Sequence, residues 1–343
     1  MVRLAIVGYD HAHLPRYAPA IAQHPRARLA AVVAPGANRA LARQDAGRFG
    51  ARYLERLDAL WQGEKIDAIY LGTPPDQHLA IIREVAPRGI HILCDKPLAT
   101  TLEDANAILQ LVNVHGVKLM VPFNPRFQLP VMKLKEMIEA GDLGTLRHIH
   151  AHKYGKLPRG IPDLDTTWFF DKARAGFGGF GDIGIHAMDA LRWLAGAEAR
   201  QVFARIDRLI HHDIAVDDIG TALIEFDNGV LASLQSGWVN PPGNPAWLSV
   251  SFEALGTAGA VLIEKPYHDL ELTDESGTER LPWWRADVPL LVDDFITAVG
   301  QGREPAITGG DARAALEITI AAYRSAETGQ PVSLPLTEMP AQR

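Results

Sequence analysis

The chain has 343 residues, 47% of them hydrophobic and 22% charged, with a formal net charge of -7. That length suggests about two domains with cores large enough to need no staples, and the acidic balance argues against non-specific nucleic-acid binding. A single cysteine, Cys94, excludes an intrachain disulfide and fits a reducing compartment such as the cytoplasm.

The N-terminus reads as a strand that begins at once, not as a signal peptide. Leu4 to Gly8 is a short apolar run closed by glycine, as in a buried parallel strand. A helix is predicted from Pro15 to Gln23, a strand from Arg28 to Ala34 and a helix from Arg39 to Phe49. Strands follow at Ala68 to Gly72, Ile90 to Cys94 and Lys118 to Pro122, with helices at Gln77 to Val85 and Leu102 to Val114. This alternation predicts a doubly wound parallel sheet of dinucleotide-binding type over residues 1–122. After Pro122 the rhythm changes. A helix from Pro130 to Ala140 precedes a strand from Leu146 to Lys153. Strands are then expected near 201–206, 219–226, 229–237, 248–255, 259–264 and 269–273, with Asp227-Asn228-Gly229 as a hairpin turn. Residues 123–343 are therefore expected to form an α+β substrate-binding domain with a large, mostly antiparallel sheet. Helices near 290–299 and 311–327 close it, with room for the C-terminal helix to pack back on the first domain. No segment approaches 18 uninterrupted apolar residues, so no membrane span is expected.

The first strand-to-helix turn of a dinucleotide fold carries G-x-G-x-x-G, which lets pyrophosphate approach the backbone. Here the run is Gly8-Tyr9-Asp10-His11-Ala12-His13, so only the first glycine is present. A carboxylate at Asp10 would repel pyrophosphate unless it turns away, whereas His13 could donate a hydrogen bond. His11 and His13 have the spacing of two ligands of one ion. Two are too few, and nothing local supplies a third, so no metal is expected. The second strand lacks the acid that binds a ribose 2′-hydroxyl at its end. Arg39 could meet a 2′-phosphate or be a solvated helix residue, and both readings stay open. Lys96, in Cys94-Asp95-Lys96-Pro97, lies where ligands of parallel sheets bind, and Pro97 is read as a rigid, cis-capable turn that aims it. Asp182 and His186 lie four apart at the start of a helical stretch loosened by glycines, which places them on one face. They suit an oriented acid/base pair, or equally a buried histidine satisfied by a helical aspartate.

Asp95-Lys96-Pro97-Leu98-Ala99 resembles the Glu-Lys-Pro motif of the Gfo/Idh/MocA oxidoreductases. Gly178-Gly179 through Asp182, Gly184, His186 and Asp189 resembles that family's glycine-rich Asp-x-Gly-x-His-x-x-Asp motif. Thr73-Pro74-Pro75-Asp76-Gln77-His78 and Asn124-Pro125-Arg126-Phe127 resemble two further segments. The resemblance implies NAD- or NADP-dependent oxidation of a secondary hydroxyl of a sugar, cyclitol or related polyol, or the reverse. It implies a catalytic set of Lys96, Asp182 and His186, with His186 as base or Lys96 in its place. Cofactor contacts are expected from Gly8, Asp10, His11, His13, Arg39, Thr73, Pro74, His78, Asp95, Lys96 and Asn124. Substrate contacts are expected from Lys96, Asn124, Arg126, Tyr154, Trp168, Asp182 and His186, with Lys153 a further candidate. His211-His212-Asp213 reads as a loop cluster, and Trp283-Trp284-Arg285 as an interface or cleft rim. The resemblance further implies a homodimer or homotetramer, with the open sheet as the surface that could form it. Two alternatives remain at this point: a lyase that keeps NAD bound and recycles it, and a regulatory protein on a dehydrogenase scaffold.

Overall fold

The computed structural model describes residues 1–265, 270–274, 277–281 and 287–336; Trp283-Trp284-Arg285 falls outside them. The chain forms two compact units, each discontinuous in sequence. The first comprises Met1–Asn124, Pro158–Gly176 and Asp287–Arg313; the second takes the remaining segments. A single cut after residue 122 treats as continuous what the chain interleaves.

In the first unit, β1 (Val2–Val7), β2 (Ala27–Val33), β3 (Arg52–Leu54), β4 (Ala68–Leu71), β5 (His91–Cys94) and β6 (Leu119–Met120) form a parallel sheet in the order β3-β2-β1-β4-β5-β6. The order reverses direction at β1, which makes the ends of β1 and β4 the switch point where ligands of such sheets bind. β4 and the Leu4–Val7 part of β1 are buried because helices cover the sheet, so these stretches are continuous apolar runs rather than alternating ones. The helices α1 (Leu14–Ala22), α2 (Arg39–Arg48), α3 (His78–Val85) and α4 (Leu102–His115) are the crossovers. The N-cap of α4 shows why it starts where it does: the Thr101 side chain accepts a hydrogen bond from Asp104 N at 3.1 Å. Two later segments add the short α6 (Lys172–Ala175) and α8 (Asp287–Gln301), the latter packed on α1 and β1.

The second unit holds α5 (Leu129–Ala140), α7 (Gly179–Ala195) and most of α9 (Gly309–Thr328). Its seven-stranded sheet is built from β7 (Leu146–Gly155), β8 (Ala199–Asp207), β9 (Ile219–Phe226), β10 (Leu231–Gly237), β11 (Leu248–Gly256), β12 (Ala260–Lys265) and β15 (Val332–Ser333). The order is β12-β11-β7-β10-β9-β8-β15, antiparallel except between β7 and β10. β13 (Leu270–Asp274) and β14 (Gly277–Leu281) form a separate hairpin. Ile149, Ala151, Ala222, Ile224, Ala232 and Leu234 alternate inward onto Phe180, Ala187, Met188 and Leu191 of α7. The opposite face exposes Leu223, Leu231, Leu255 and Leu262. No helix among the described residues is long and apolar enough to cross a membrane.

Candidate active site

The first unit supplies one group of predicted residues. Gly8 ends β1 at φ 82°, and a Cβ there would stand 2.2 Å from Thr73 Cγ2 and 2.7 Å from Thr73 N. Only glycine lets the β1–α1 turn press against the turn after β4. Thr73 Oγ1 is buried beside that turn with no hydrogen-bond partner among the described residues. A close-packed glycine turn at the switch point and a hydroxyl still able to bond fit a dinucleotide lying along the loop.

Asp10 does turn away. Its Oδ1 lies 3.2 Å from where a Gly36 Cβ would be and accepts a 3.2 Å hydrogen bond from Asn38 Nδ2. Burial raises its pKa. Asn38 in turn accepts from Asp165 N at 2.6 Å. Arg39 is exposed at the first residue of α2. Trp168, expected at substrate, belongs to this unit: its indole Nε1 donates to Asp10 O at 2.9 Å, and its ring stacks on Phe169 at 3.8 Å.

Asp95 organises the end of β5. Its carboxylate accepts from Lys96 N at 2.8 Å and from the Tyr70 hydroxyl, and faces His13 Nδ1 at 3.0 Å and His11 Nδ1 at 3.3 Å. Burial opposes its ionisation, but His11 and His13, the bond from His13 and the Lys96 charge outweigh it and hold the carboxyl well below the usual range. Burial drives His11 well below its ordinary value against the pull of Asp95. Lys96 is itself buried, its ammonium 6.0 Å from the Phe169 ring centroid, and the Lys96-Pro97 peptide is cis as its sequence allowed.

Three predicted contacts change role. His78 is fully buried, with Nε2 3.1 Å from Thr73 O and Nδ1 3.0 Å from Leu98 O. It links the Thr73-Pro74 turn to the loop after Lys96. Asp95, fully buried, likewise positions its neighbours. Asn124 sits between Tyr17 OH, from which it accepts at 3.2 Å, and Asp287 Oδ2, to which it donates at 3.1 Å.

The second unit carries the other group on α7. Gly178 and Gly179 are required by close approach: a Cβ on either would meet Asp217 O at 2.4 Å or Asp218 O at 2.7 Å. Asp217 accepts from Gly178 N at 3.1 Å and Phe180 N at 2.9 Å, capping the helix from outside it, and Tyr323 OH donates to it at 2.8 Å. The glycines thus seat the helix instead of loosening it. Asp182 accepts from the buried Trp238 Nε1 at 2.9 Å, and His186 lies one turn later, 3% exposed. The His211 loop is structural: His211 Nε2 meets Trp238 O at 2.8 Å, and its N–H donates to Asp218.

Two substrate candidates are corrected. Arg126 forms a buried two-pronged ion pair with Asp189 of α7, at 2.7 and 2.5 Å. Two prongs of its fork thus bind the helix. Tyr154 lies on the sheet face away from α7, stacked on His152 and donating to Gln235 Oε1 at 2.7 Å. Alternation puts Lys153, buried, on the same face as Ile149 and Ala151, toward α7. Counting by twos along β7 would have preferred it. Asp217, Tyr323 and Trp238 were missed because each lies far in sequence from the helix it supports.

The strand order β3-β2-β1-β4-β5-β6 makes the first unit a Rossmann domain, the class of fold that dinucleotide-dependent oxidoreductases use. The chain belongs to the GFO/IDH/MocA family: residues 2–123 match its NAD-binding Rossmann oxidoreductase model and residues 131–262 its C-terminal domain. It is 30% identical to inositol 2-dehydrogenase of Rhizobium meliloti over 93% of this chain and 95% of that protein. It is 29% identical to scyllo-inositol 2-dehydrogenase (NAD(+)) of Bacillus subtilis over 78% of each. Its fold matches that of GenD2 from gentamicin A biosynthesis, solved in complex with NAD, with TM-score 0.85, 27% identity and 98% and 97% of the two chains covered.

Proposed function

We propose that the protein oxidises a secondary hydroxyl of a cyclitol, sugar or related polyol, or reduces the corresponding ketone, with NAD as the redox partner. The observation that carries the reading is a buried lysine, Lys96, at a strand end of a Rossmann sheet, its own N–H held by the buried Asp95 carboxylate. When bound, the nicotinamide supplies the hydride acceptor. His186 takes the hydroxyl proton as general base, and Asp182, fixed by Trp238, stabilises the imidazolium that results. Lys96 stabilises the developing alkoxide. Lys153 hydrogen-bonds substrate hydroxyls. Similarity to two inositol dehydrogenases favours a cyclitol.

Asp10 favours NAD over NADP. Its carboxylate reaches the β2–α2 turn at Gly36 and Asn38, the place where dinucleotide folds hold an acid for the ribose. A 2′-phosphate there would meet negative charge. The exposed leucines of the seven-stranded sheet suit self-association.

The test is a screen of inositols and sugars with NAD and with NADP, followed by nicotinamide absorbance. Stoichiometric NADH formation with a polyol is expected, with NAD bound at least ~10-fold more tightly than NADP, about 1.4 kcal/mol. Nucleotide binding with no net NADH from any polyol would replace this reading with the redox-recycling lyase, and no binding of either nucleotide would remove both.

A further inference from the structure

We propose that His11, His13 and Asp95 form a binding site for a zinc-class divalent cation at the nucleotide loop of the first unit. One donor atom from each lies within 4.8 Å of the other two. The two imidazole Nδ1 atoms stand 3.3 and 3.0 Å from the carboxylate oxygens. Ligands about 2.0–2.2 Å from a four-coordinate ion are themselves about 3.3 Å apart, so each imidazole already stands about one such edge from an Asp95 oxygen, one on Oδ2 and the other on Oδ1. The third donor was invisible locally because Asp95 lies 82 residues beyond His13.

Hydrogen bonding alone leaves His11 badly served. Its Nδ1 accepts from His13 N at 3.3 Å, which places the ring proton on Nε2. Nε2 is buried and meets no partner among the described residues, while the Nδ1 lone pair faces an Asp95 oxygen. The other tautomer gives that oxygen a proton but loses the His13 N–H bond and leaves a lone pair buried at Nε2. A cation on Nδ1 takes the lone pair that the His13 N–H now uses, and in exchange turns the acceptor-against-acceptor contact into two ligand bonds. His11 is 1% exposed and Asp95 not at all, so the donors need little reordering. Tyr70 OH and Lys96 N hold the carboxylate from outside, as supporting bonds hold a metal ligand. The His13 side chain is 23% exposed, which provides an entry path.

The donor set selects the ion. Two imidazoles and one carboxylate suit zinc or cobalt rather than magnesium or calcium, which take oxygen shells. The Lys96 ammonium and the N-terminus of α1, just after His13, place positive charge nearby. That disfavours an ion held by charge alone and leaves one that bonds to imidazole nitrogen. It also brings positive charge to a loop whose second and third glycine places are occupied.

The experiment uses full-length protein without a histidine tag, stripped by chelator and dialysed. Bound zinc is measured after re-addition, and cobalt is titrated for the visible band of four-coordinate Co(II). About one equivalent is expected, with the band. His13→Ala, at a partly exposed position, should weaken binding by at least ~100-fold, since loss of supporting bonds alone costs 10–100-fold. His150→Ala tests the competing surface stripe His148, His150 and His152 of β7, and should retain the metal. Wild-type protein that binds neither ion would overturn the site. So would metal lost in His150→Ala but kept in His13→Ala.

Discussion

Asp95 in the first unit and Asp217 in the second do similar work by different means. Asp95 gathers side chains: His11, His13 and Tyr70 converge on it, and it holds Lys96 through that residue's own N–H. Asp217 gathers backbone: it binds the first N–H groups of α7, which can approach only because Gly178 and Gly179 carry no side chain. Their ionisation differs accordingly. The groups around Asp95 overcome burial and hold its carboxyl low, whereas burial dominates at Asp217 and raises it despite its hydrogen bonds. A reactive residue fixed through titratable side chains should respond to pH. One fixed through a helix backbone should respond to volume.

The largest effect is expected where the second unit departs from its own pattern, at the buried Arg126–Asp189 pair. Arg126→Ala leaves Asp189 charged and unpartnered by that guanidinium, and should cost about 3–5 kcal/mol. Denaturant unfolding checks this. A loss below about 1 kcal/mol with unchanged substrate KM would mean that the pair contributes little.

Lys96→Ala and His186→Ala should each lower kcat by at least about 100-fold, near 2.7 kcal/mol of transition-state stabilisation. The NAD affinity of His186→Ala should stay within a few-fold of wild type, because the proposed role of His186 is toward the substrate hydroxyl. Wild-type turnover in either variant removes that residue from the chemistry.

Gly179→Ala sharpens the contrast by volume alone. Its Cβ would meet Asp218 O at 2.7 Å, so the helix start must shift, at about 1–3 kcal/mol. Thermal unfolding should register the loss, while an unchanged midpoint would show that the helix start can yield freely.

The smallest effect is one of pH. Burial lowers the pKa of His78 in the folded protein. The unfolded chain, with histidine near pKa 6.5, therefore takes up a proton first as pH falls. Stability present above about pH 6.5 is lost below it, by up to about 1.4 kcal/mol per pH unit until the folded pKa is reached. Unfolding midpoints measured at about pH 7.5 and 5.5 should fall on acidification, and His78→Gln should flatten the slope. An identical slope in the variant would assign the acid sensitivity elsewhere.

Sequence alone determined the element order. Most strands and helices follow from runs and periodicities of five residues or more, because burial of one face is a local pattern. β3 and β15 are two or three residues long and carry no such pattern. Lys96, Asp182 and His186 were legible because their motifs are contiguous. Tertiary structure decided what each polar side chain faces. It turned Asp10 to Asn38, bound Arg126 to Asp189, placed Tyr154 away from α7 and brought Asp95 to two histidines from another strand end. Hydrogen bonds and ion pairs act over about 3 Å. Which groups lie that close depends on strand order and register, and no short window of the chain contains either.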